Sequence, residues 1–196
     1  MKEVGKRMDI TEEQEVSTAK RLWRDYGDIV VTLAVVFVIF KIILQLAWVP
    51  TGSMETTLPT KSLLIGWHLP YAVSDPMPKR GDVVTFWDEE EDSVLVKRVI
   101  GLPGDQISFA EGYTYRNGEK IEEAYLPFPG NTYSEKTFEV PEDCFFFMGD
   151  NRGNSKDSRF LDVSYVPIDA IQAKVMICIS LGSSHAWQGV HIIANH

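Results

Sequence analysis

The fold of this chain is decided by short apolar stretches, of which the clearest is Val94-Leu-Val-Lys-Arg-Val-Ile100. It is rich in β-branched residues and shorter than a typical helix, so it predicts a β-strand. Similar stretches recur along the chain, separated by Gly, Pro, Asp and Asn, which favour turns. They cover residues 62–67, 82–87, 144–148 and 173–180. This spacing predicts a mainly β domain over residues 50–196.

Local signals refine this prediction. The pair Asn117-Gly118 separates alternating segments and is typical of a tight hairpin turn. Pro167 favours a helical turn that begins near it. Between residues 106 and 143, frequent loop-forming and acidic residues predict a peripheral insert rather than core.

The composition limits the classes of function. The 196 residues include 19 Lys and Arg against 28 Asp and Glu, and a net charge of −9 argues against nucleic acid as a partner. A hydrophobic content of 44% excludes a disordered chain. Cys144 and Cys178 are too few for a disulfide framework and lie in apolar runs typical of buried thiols, although a disulfide between them stays open.

An apolar run over residues 29–49 follows the polar segment 1–28. It contains 21 residues, of which only Lys41 is charged, and about 20 helical residues cross a bilayer. We therefore predict one N-terminal transmembrane helix there. No small-x-small cleavage site follows the run, so we expect an uncleaved anchor. The alternative is a buried core helix, whose usual length this run exceeds.

The charges that flank this run predict its orientation. Lys20, Arg21 and Arg24 precede it, and only Lys61 follows closely. The positive-inside rule then places residues 1–28 in the cytoplasm and 50–196 outside the cytoplasmic membrane, in a single-pass arrangement. Residues 1–49 carry seven basic and seven acidic residues, so the whole net charge of −9 belongs to the outer domain.

Two polar residues stand out against apolar surroundings. Ser53 follows Gly52 in a Pro/Gly turn, where a serine is most often only a turn residue. Lys97 shares a strand face with Leu95 and Val99. If that face is buried, the pKa of the lysine falls and its neutral amine is a competent general base. The alternative for Lys97 is a water-exposed lysine on an edge strand.

A third group of polar residues forms the run Gly149-Asp-Asn-Arg-Gly-Asn-Ser-Lys-Asp-Ser-Arg159. It predicts a structured loop with ion pairs, and the alternatives are a solvated loop or a metal loop, although the EF-hand spacing is not matched. All four histidines lie outside these groups, which argues against a Ser-His-Asp triad and a zinc site. We expect no metal and no cofactor. The histidines are His68, His185, His191 and His196.

Four motifs in order resemble those of the bacterial type I signal peptidases, a family of membrane-anchored Ser/Lys serine endopeptidases. They begin at Pro50 with Pro-Thr-Gly-Ser-Met-Glu-Thr-Thr-Leu, at Lys79 with Lys-Arg-Gly-Asp-Val-Val-Thr-Phe, at Lys97 with Lys-Arg-Val-Ile-Gly-Leu-Pro-Gly-Asp, and at Gly149 with the loop above. The resemblance implies a coiled, barrel-like β-sheet fold for the catalytic domain.

The resemblance also implies roles for individual residues. Ser53 is the expected nucleophile and Lys97 its general base, while the Ser53 N–H and the Thr51 hydroxyl form the oxyanion hole. Ser155 matches a serine that hydrogen-bonds and orients the lysine. The other residues expected to shape the site are Arg98, Asp150, Arg152, Asp157 and Arg159.

The implied reaction is removal of signal peptides from secreted preproteins at the outer membrane surface, through an acyl-enzyme. The resemblance implies small side chains at the first and third positions before the cut. We expect the substrate to add as a strand between the segments near Val49 and 82–86, with main-chain bonds. We also expect a monomer in contact with the lipid bilayer. The residues expected to contact substrate are Val49, Met54, Leu58, Asp82, Val83, Val84, Phe86, Leu95 and Val96.

Two other functions compete with this interpretation. A self-cleaving Ser/Lys protease of the repressor type should carry a DNA-binding helix-turn-helix, where this chain has an apolar run. A non-catalytic, membrane-tethered β-domain that binds peptides would share the anchor but would not depend on Ser53 and Lys97 for activity.

Overall fold

The structure is a computed structural model. It describes residues 2–55, 57–68, 77–180 and 189–193, and the side chains of all these residues except 2–19, 41 and 42. The chain divides into two compact units, Met1–Ile42 and Ile43–His196. The first unit contains one helix, α1 (Lys2–Val38), followed by a π-helical turn that begins at Ile39. The side chain of Lys41, the one charged residue of the apolar run, lies outside the described residues.

The second unit is mainly β, as predicted, and its larger sheet has eight strands. Seven of them lie in the order β1-β2-β11-β3-β4-β9-β10, and β12 pairs with the distal half of β11. The bounds are β1 (Leu44–Val49), β2 (Ser62–Trp67), β3 (Val83–Asp88), β4 (Ser93–Gly101), β9 (Cys144–Met148), β10 (Val166–Pro167), β11 (Ile171–Ser180) and β12 (Gly189–Ile192).

The predicted insert forms a smaller sheet of four strands in the order β7-β6-β5-β8. Their bounds are β5 (Gln106–Ala110), β6 (Tyr113–Arg116), β7 (Glu119–Lys120) and β8 (Phe138–Glu139). The predicted hairpin turn is present, because Asn117 and Gly118 both adopt positive φ angles, of 55° and 82°. A 3₁₀ turn at Ile168–Ala170 follows Pro167, as expected.

Three apolar clusters form the core. One contains Val49 and Met54, and another contains Phe86 and Phe147, whose rings stack 4.8 Å apart. The third joins the insert to the main sheet, because Ile107 packs with residues of β4 and β9. The insert therefore shares a buried core with the larger sheet, where the sequence predicted a peripheral position.

The apolar run 29–49 does not continue as one helix. Its last six residues form β1, whose register with β2 runs from Leu44 opposite Trp67 to Val49 opposite Ser62. Gln45 faces inward, where its side-chain amide donates to Gln172 Oε1 at 2.7 Å. An uninterrupted apolar run does not distinguish a strand from a helix, which explains the difference from the prediction. Among the described residues, no helix combines the length and the apolar character needed to span a membrane.

Candidate active site

Ser53 and Lys97 lie side by side in the larger unit. Lys97 occupies the middle of β4, opposite Val84, and Ser53 lies in the turn that follows β1. The Lys97 Nζ donates to Ser53 Oγ at 2.8 Å and to the Val96 carbonyl at 3.2 Å. A serine hydroxyl within hydrogen-bond reach of a lysine amine is the geometry of a nucleophile and its base.

Burial makes Lys97 suitable as a base. The side chain is only 3% exposed, and this desolvation lowers its pKa below the ordinary lysine value. The carboxylates of Asp157 and Asp150 oppose the shift, because a nearby negative charge favours the ammonium form. Lys97 is therefore an amine that gives up its proton more readily than a surface lysine.

The turn that carries Ser53 is held by the loop after β9. Asn151 binds it twice: its backbone N–H donates to the Ser53 carbonyl at 3.0 Å, and its side-chain amide donates to the Gly52 carbonyl at 3.0 Å. The loop approaches so closely that a Cβ on Gly149 would lie 2.5 Å from the Ser53 carbonyl oxygen and 2.2 Å from Ser155 Oγ. Only glycine fits at position 149.

Among the buried ion pairs that shape this loop, two involve its aspartates. Arg98 forms a bidentate pair with Asp150, with N···O distances of 2.9 and 2.7 Å. Arg159 forms a second bidentate pair with Asp157, at 2.8 and 2.9 Å, and Asp157 also accepts the Gly149 N–H. Lys97 and Arg98 are both buried, on opposite faces of β4, so each face carries one basic side chain.

The chain matches a protein-family model over residues 23–180, which is most of its length, and that model describes the signal peptidase, peptidase S26. The chain belongs to this signal peptidase family. The match includes both Ser53 and Lys97 and all the loop residues described above.

Individual relatives of this peptidase carry consistent names. A "Signal peptidase I" of Rickettsia massiliae is 30% identical over 85% of this chain and 81% of its own. A "Probable signal peptidase I-2" of Synechocystis sp. is 29% identical over 85% of this chain and 78% of its own. A solved signal peptidase I of Enterococcus faecalis is 28% identical, with a TM-score of 0.43, over 50% of this chain and 96% of its own.

The structure places the remaining expected site residues of the peptidase with one difference in a predicted hydrogen bond. Thr51 Oγ1 lies 3.5 Å from Ser53 Oγ, beside the expected nucleophile. Ser155 is buried, but its hydroxyl has no hydrogen-bond partner among the described residues, so the expected bond from Lys97 is not formed. The Lys97 amine donates to Ser53 and Val96 instead. Arg152, which was also expected to shape the site, forms its ion pair with Glu123 of the insert.

The expected substrate strand at 82–86 is not open to a substrate. The backbone of β3 pairs with β4 on one side and, from Val84 to Phe86, with β11 on the other. The side chains of Val84 and Phe86 are at most 1% exposed, and Asp82 forms a salt bridge with Lys174. From Val84 to Phe86, the structure contradicts the predicted main-chain addition of a substrate, because both hydrogen-bonding edges of β3 are occupied there.

The open edge belongs to β4 instead. On the side away from β3, β4 pairs with β9 only at Arg98, Val99 and Gly101, and no described strand pairs there with the residues before Arg98. Val99 exchanges hydrogen bonds with the β3 side, so the period of two directs the N–H and C=O groups of Val94 and Val96 to the open edge. Val96, at this open edge, immediately precedes Lys97 in β4.

The other expected substrate residues divide between the two faces of the sheet. Val49, Met54, Leu58 and Val83 form one buried cluster, against which Val96 packs. Leu95 packs on the opposite face with the cluster of Phe86. The first group lies next to the Ser53 turn, because Met54 and Leu58 belong to the same turn and its continuation.

Several residues that support the site were not predicted. Asn151 binds the Ser53 turn, Thr57 donates to Asp150 at 2.5 Å, and Glu123 and Tyr125 contact the buried arginines. Asn151 lies inside a motif that the sequence had already indicated, but the pattern contained no signal for Glu123 or Tyr125. Both cysteines are free thiols, and among the described residues no group of three or more potential ligands is arranged to bind a metal.

Proposed function

We propose that this chain is a signal peptidase I that removes N-terminal signal peptides from secreted preproteins, with Ser53 as nucleophile and Lys97 as general base. The observation that carries the proposal is the 2.8 Å hydrogen bond between the buried Lys97 amine and the Ser53 hydroxyl. Family membership supports the class of reaction, and the bond supports the assignment of these two residues.

The chemical steps follow from this pair. Neutral Lys97 accepts the Ser53 proton while Ser53 Oγ attacks the scissile carbonyl and forms a tetrahedral intermediate. The carbon–nitrogen bond then breaks, the leaving amine takes the proton from Lys97, and an ester to Ser53 remains. A water molecule activated by Lys97 hydrolyses that ester. The Ser53 N–H and the Thr51 hydroxyl are the proposed donors to the developing oxyanion, and in comparable sites one such donor contributes roughly 2.7–4 kcal/mol.

We place the substrate along the open edge of β4. An extended peptide there would exchange main-chain hydrogen bonds with Val94 and Val96 and would bring its scissile carbonyl to Ser53. The adjacent wall consists of Val49, Met54 and Leu58, which are at most 5% exposed and already pack against one another. Because so little of these side chains is uncovered, pockets beside them are shallow, which favours small side chains in the substrate.

We further propose that the chain is anchored in the cytoplasmic membrane, with residues 1–28 on the cytoplasmic side and the β unit outside. In α1 and the turn after it, nine apolar side chains between positions 29 and 40 are 42–63% exposed, and isolated globular proteins rarely expose such surface. Because β1 begins at Leu44, the proposed boundary of the catalytic domain is near residue 43.

A second apolar surface supports contact with lipid. The outward face of the larger sheet carries two rows across four strands, one with Trp48 and Val190 at its ends and the other with Leu46 and Ile192. These four side chains are 50–80% exposed. Two rows of apolar side chains that include an exposed tryptophan favour a membrane interface.

The proposal is tested by incubation of the purified protein with a preprotein and mass-spectrometric location of the cut. Ser53→Ala and Lys97→Ala should each abolish cleavage and retain the circular dichroism and thermal unfolding of a folded domain. Lys136→Ala, at an exposed position, is the matched control and should cleave normally. A Ser53→Ala protein with undiminished cleavage would contradict the assignment, and a wild-type protein that binds without cutting would favour a non-catalytic peptide-binding domain.

A further inference from the structure

We propose that Glu123 and Tyr125, in the insert segment 121–126, are positioning residues that hold the two buried arginines behind the Ser53–Lys97 pair. The inference rests on the proposed function. It assigns a catalytic contribution to a part of the chain that the sequence predicted to be peripheral.

The segment 121–126 is well fixed at both ends. Ile121 donates its N–H to the Thr114 carbonyl and packs against the cluster of Ile107. At the other end, the Leu126 N–H donates to the Glu123 carbonyl, which closes a tight turn, and Leu126 is buried. Between these two ends, the side chains of residues 121–125 alternate between an inward row and an exposed row. The inward row contains Ile121, Glu123 and Tyr125, and the exposed row contains Glu122 and Ala124.

Glu123 is the carboxylate partner of Arg152. Its two oxygens accept hydrogen bonds from both terminal nitrogens of the guanidinium. The Glu123 side chain is only 6% exposed and that of Arg152 only 1%. Two further acceptors of Arg152 are the hydroxyls of Thr114 and Thr132, both in the insert, at 3.0 and 2.9 Å. The insert thus supplies every acceptor of this guanidinium except one, the Gly149 carbonyl at 3.0 Å.

Tyr125 connects the second arginine to the same carboxylate. Its ring lies over the Arg98 guanidinium, with the guanidinium carbon 3.9 Å from the ring centroid. Its hydroxyl donates to Glu123 Oε1 at 2.8 Å. A cation over an aromatic face gains stabilisation that increases when both groups are desolvated, as they are here. One Glu–Tyr pair therefore contacts both buried arginines.

Each arginine binds a residue that acts on or contacts the Ser53–Lys97 pair. Arg98 orients Asp150, whose charge acts on Lys97, and Arg152 binds Gly149, which lies against the Ser53 carbonyl. Between Asp150 and Arg152, Asn151 donates both of its hydrogen bonds to the Ser53 turn. A displacement of either arginine would move the loop that places Ser53 against Lys97.

A change in the charge of Glu123 should alter the pKa of Lys97, which the pH profile of the reaction reports. The carboxylates that act on Lys97 are Asp157, Asp150, Asp88 and Glu91. Arg152 also interacts electrostatically with Asp150, so loss of the Glu123 charge would leave an unpartnered Arg152 cation acting on a carboxylate that influences Lys97. An added uncompensated positive charge disfavours a second cation, so the pKa of Lys97 should fall further.

The test compares Glu123→Gln with Glu122→Gln, two adjacent glutamates of which only the first faces inward. For Glu123→Gln we expect a roughly tenfold lower kcat on the alkaline plateau, a KM within about twofold of wild type, and an acid limb of the pH profile that moves to lower pH by roughly half a unit. Glu122→Gln should match the wild type in all three quantities. The Ser53→Ala protein, measured alongside, reports separately on the proposed function.

A second pair of variants separates the ring of Tyr125 from its hydroxyl. Tyr125→Phe keeps the ring over Arg98 and should retain kcat within about threefold, whereas Tyr125→Ala should lower kcat roughly tenfold with little change in KM. If folded Glu123→Gln and Tyr125→Ala proteins keep the wild-type kcat and pH profile, the proposal is overturned. It is equally overturned if activity falls only in proportion to the folded fraction while the pH profile does not move.

Discussion

At the scale of single residues, Lys97 and Arg98 are adjacent in β4 and are both buried, yet their hydrogen-bond partners differ. Arg98 has a bidentate carboxylate partner in Asp150, which suits the planar guanidinium. Lys97 has no direct carboxylate contact among its described hydrogen bonds and is surrounded by a hydroxyl and a carbonyl. Desolvation without a paired anion lowers the pKa of an amine, and this is the property that a lysine base requires.

The lowered pKa of Lys97 predicts the pH dependence of the reaction. The ammonium form cannot accept the Ser53 proton, so kcat/KM should rise with pH as Lys97 loses its proton. Because its pKa lies below the ordinary lysine value of 10.5, the midpoint of this rise should lie below pH 10.5. The measurement is kcat/KM from pH 5 to 10 with one peptide substrate. A flat profile from pH 5 to 9, or a rise that starts only above pH 10, would contradict this role.

At the scale of secondary-structure elements, β1 is a paired strand of the larger sheet, although its apolar composition also suits a membrane helix. It pairs along its whole length with β2, and its inward residue Val49 belongs to the cluster beside the Ser53 turn. Gln45 also accepts a hydrogen bond from Thr85 of β3, at 2.5 Å. These contacts make residues 44–49 part of the catalytic domain.

Two shortened chains test the position of this boundary. A chain that starts at residue 43 keeps β1 and should fold and cleave a preprotein peptide. A chain that starts at residue 50 loses the strand beside β2 and should be markedly less stable, because the buried cluster that contains Leu64 loses the Val49 side chain. Thermal unfolding of both chains in the same detergent is the measurement. Equal stability would show that residues 44–49 do not belong to the folded domain.

The open edge of β4 leads to a prediction about backbone groups. Val94→Pro removes an N–H that faces the open edge, so folding should be preserved while a peptide substrate loses one main-chain bond. We expect kcat/KM to fall roughly tenfold, since one hydrogen bond is worth about 1 kcal/mol or slightly more. Leu95→Pro is the matched control: its N–H faces β3, and its loss should lower the thermal stability instead. The opposite pattern would exclude substrate addition at this edge.

At the scale of the whole molecule, charge and apolar surface are separated along the chain. Residues 50–196 carry 12 basic and 21 acidic residues and therefore the whole net charge of −9. The exposed apolar side chains concentrate between positions 29 and 40 and on the outward face of the larger sheet. An acidic domain with one apolar face is suited to a membrane surface that it contacts on one side only.

The proposed orientation predicts which parts of the chain a protease can reach in intact cells without a wall. An epitope tag after His196 should be removed by external protease, whereas a tag before Met1 should be protected until the membrane is disrupted with detergent. The basic residues Lys20, Arg21 and Arg24 provide the reason for this direction. Removal of the amino-terminal tag from intact cells would reverse the proposed topology.

The sequence by itself determined the mainly β class and most strand positions, because β-branched stretches between turn formers specify strands locally. It also indicated Ser53, Lys97 and the 149–159 loop as candidate site residues, since a family motif keeps its residues contiguous, and the structure brings Ser53 and Lys97 together. Only the tertiary structure decided the rest, because pairing and burial depend on residues far apart in the chain. It placed residues 44–49 in a sheet, closed both edges of β3 and left that of β4 open. It also selected Glu123 over Glu122 as the partner of Arg152, which no local pattern could indicate.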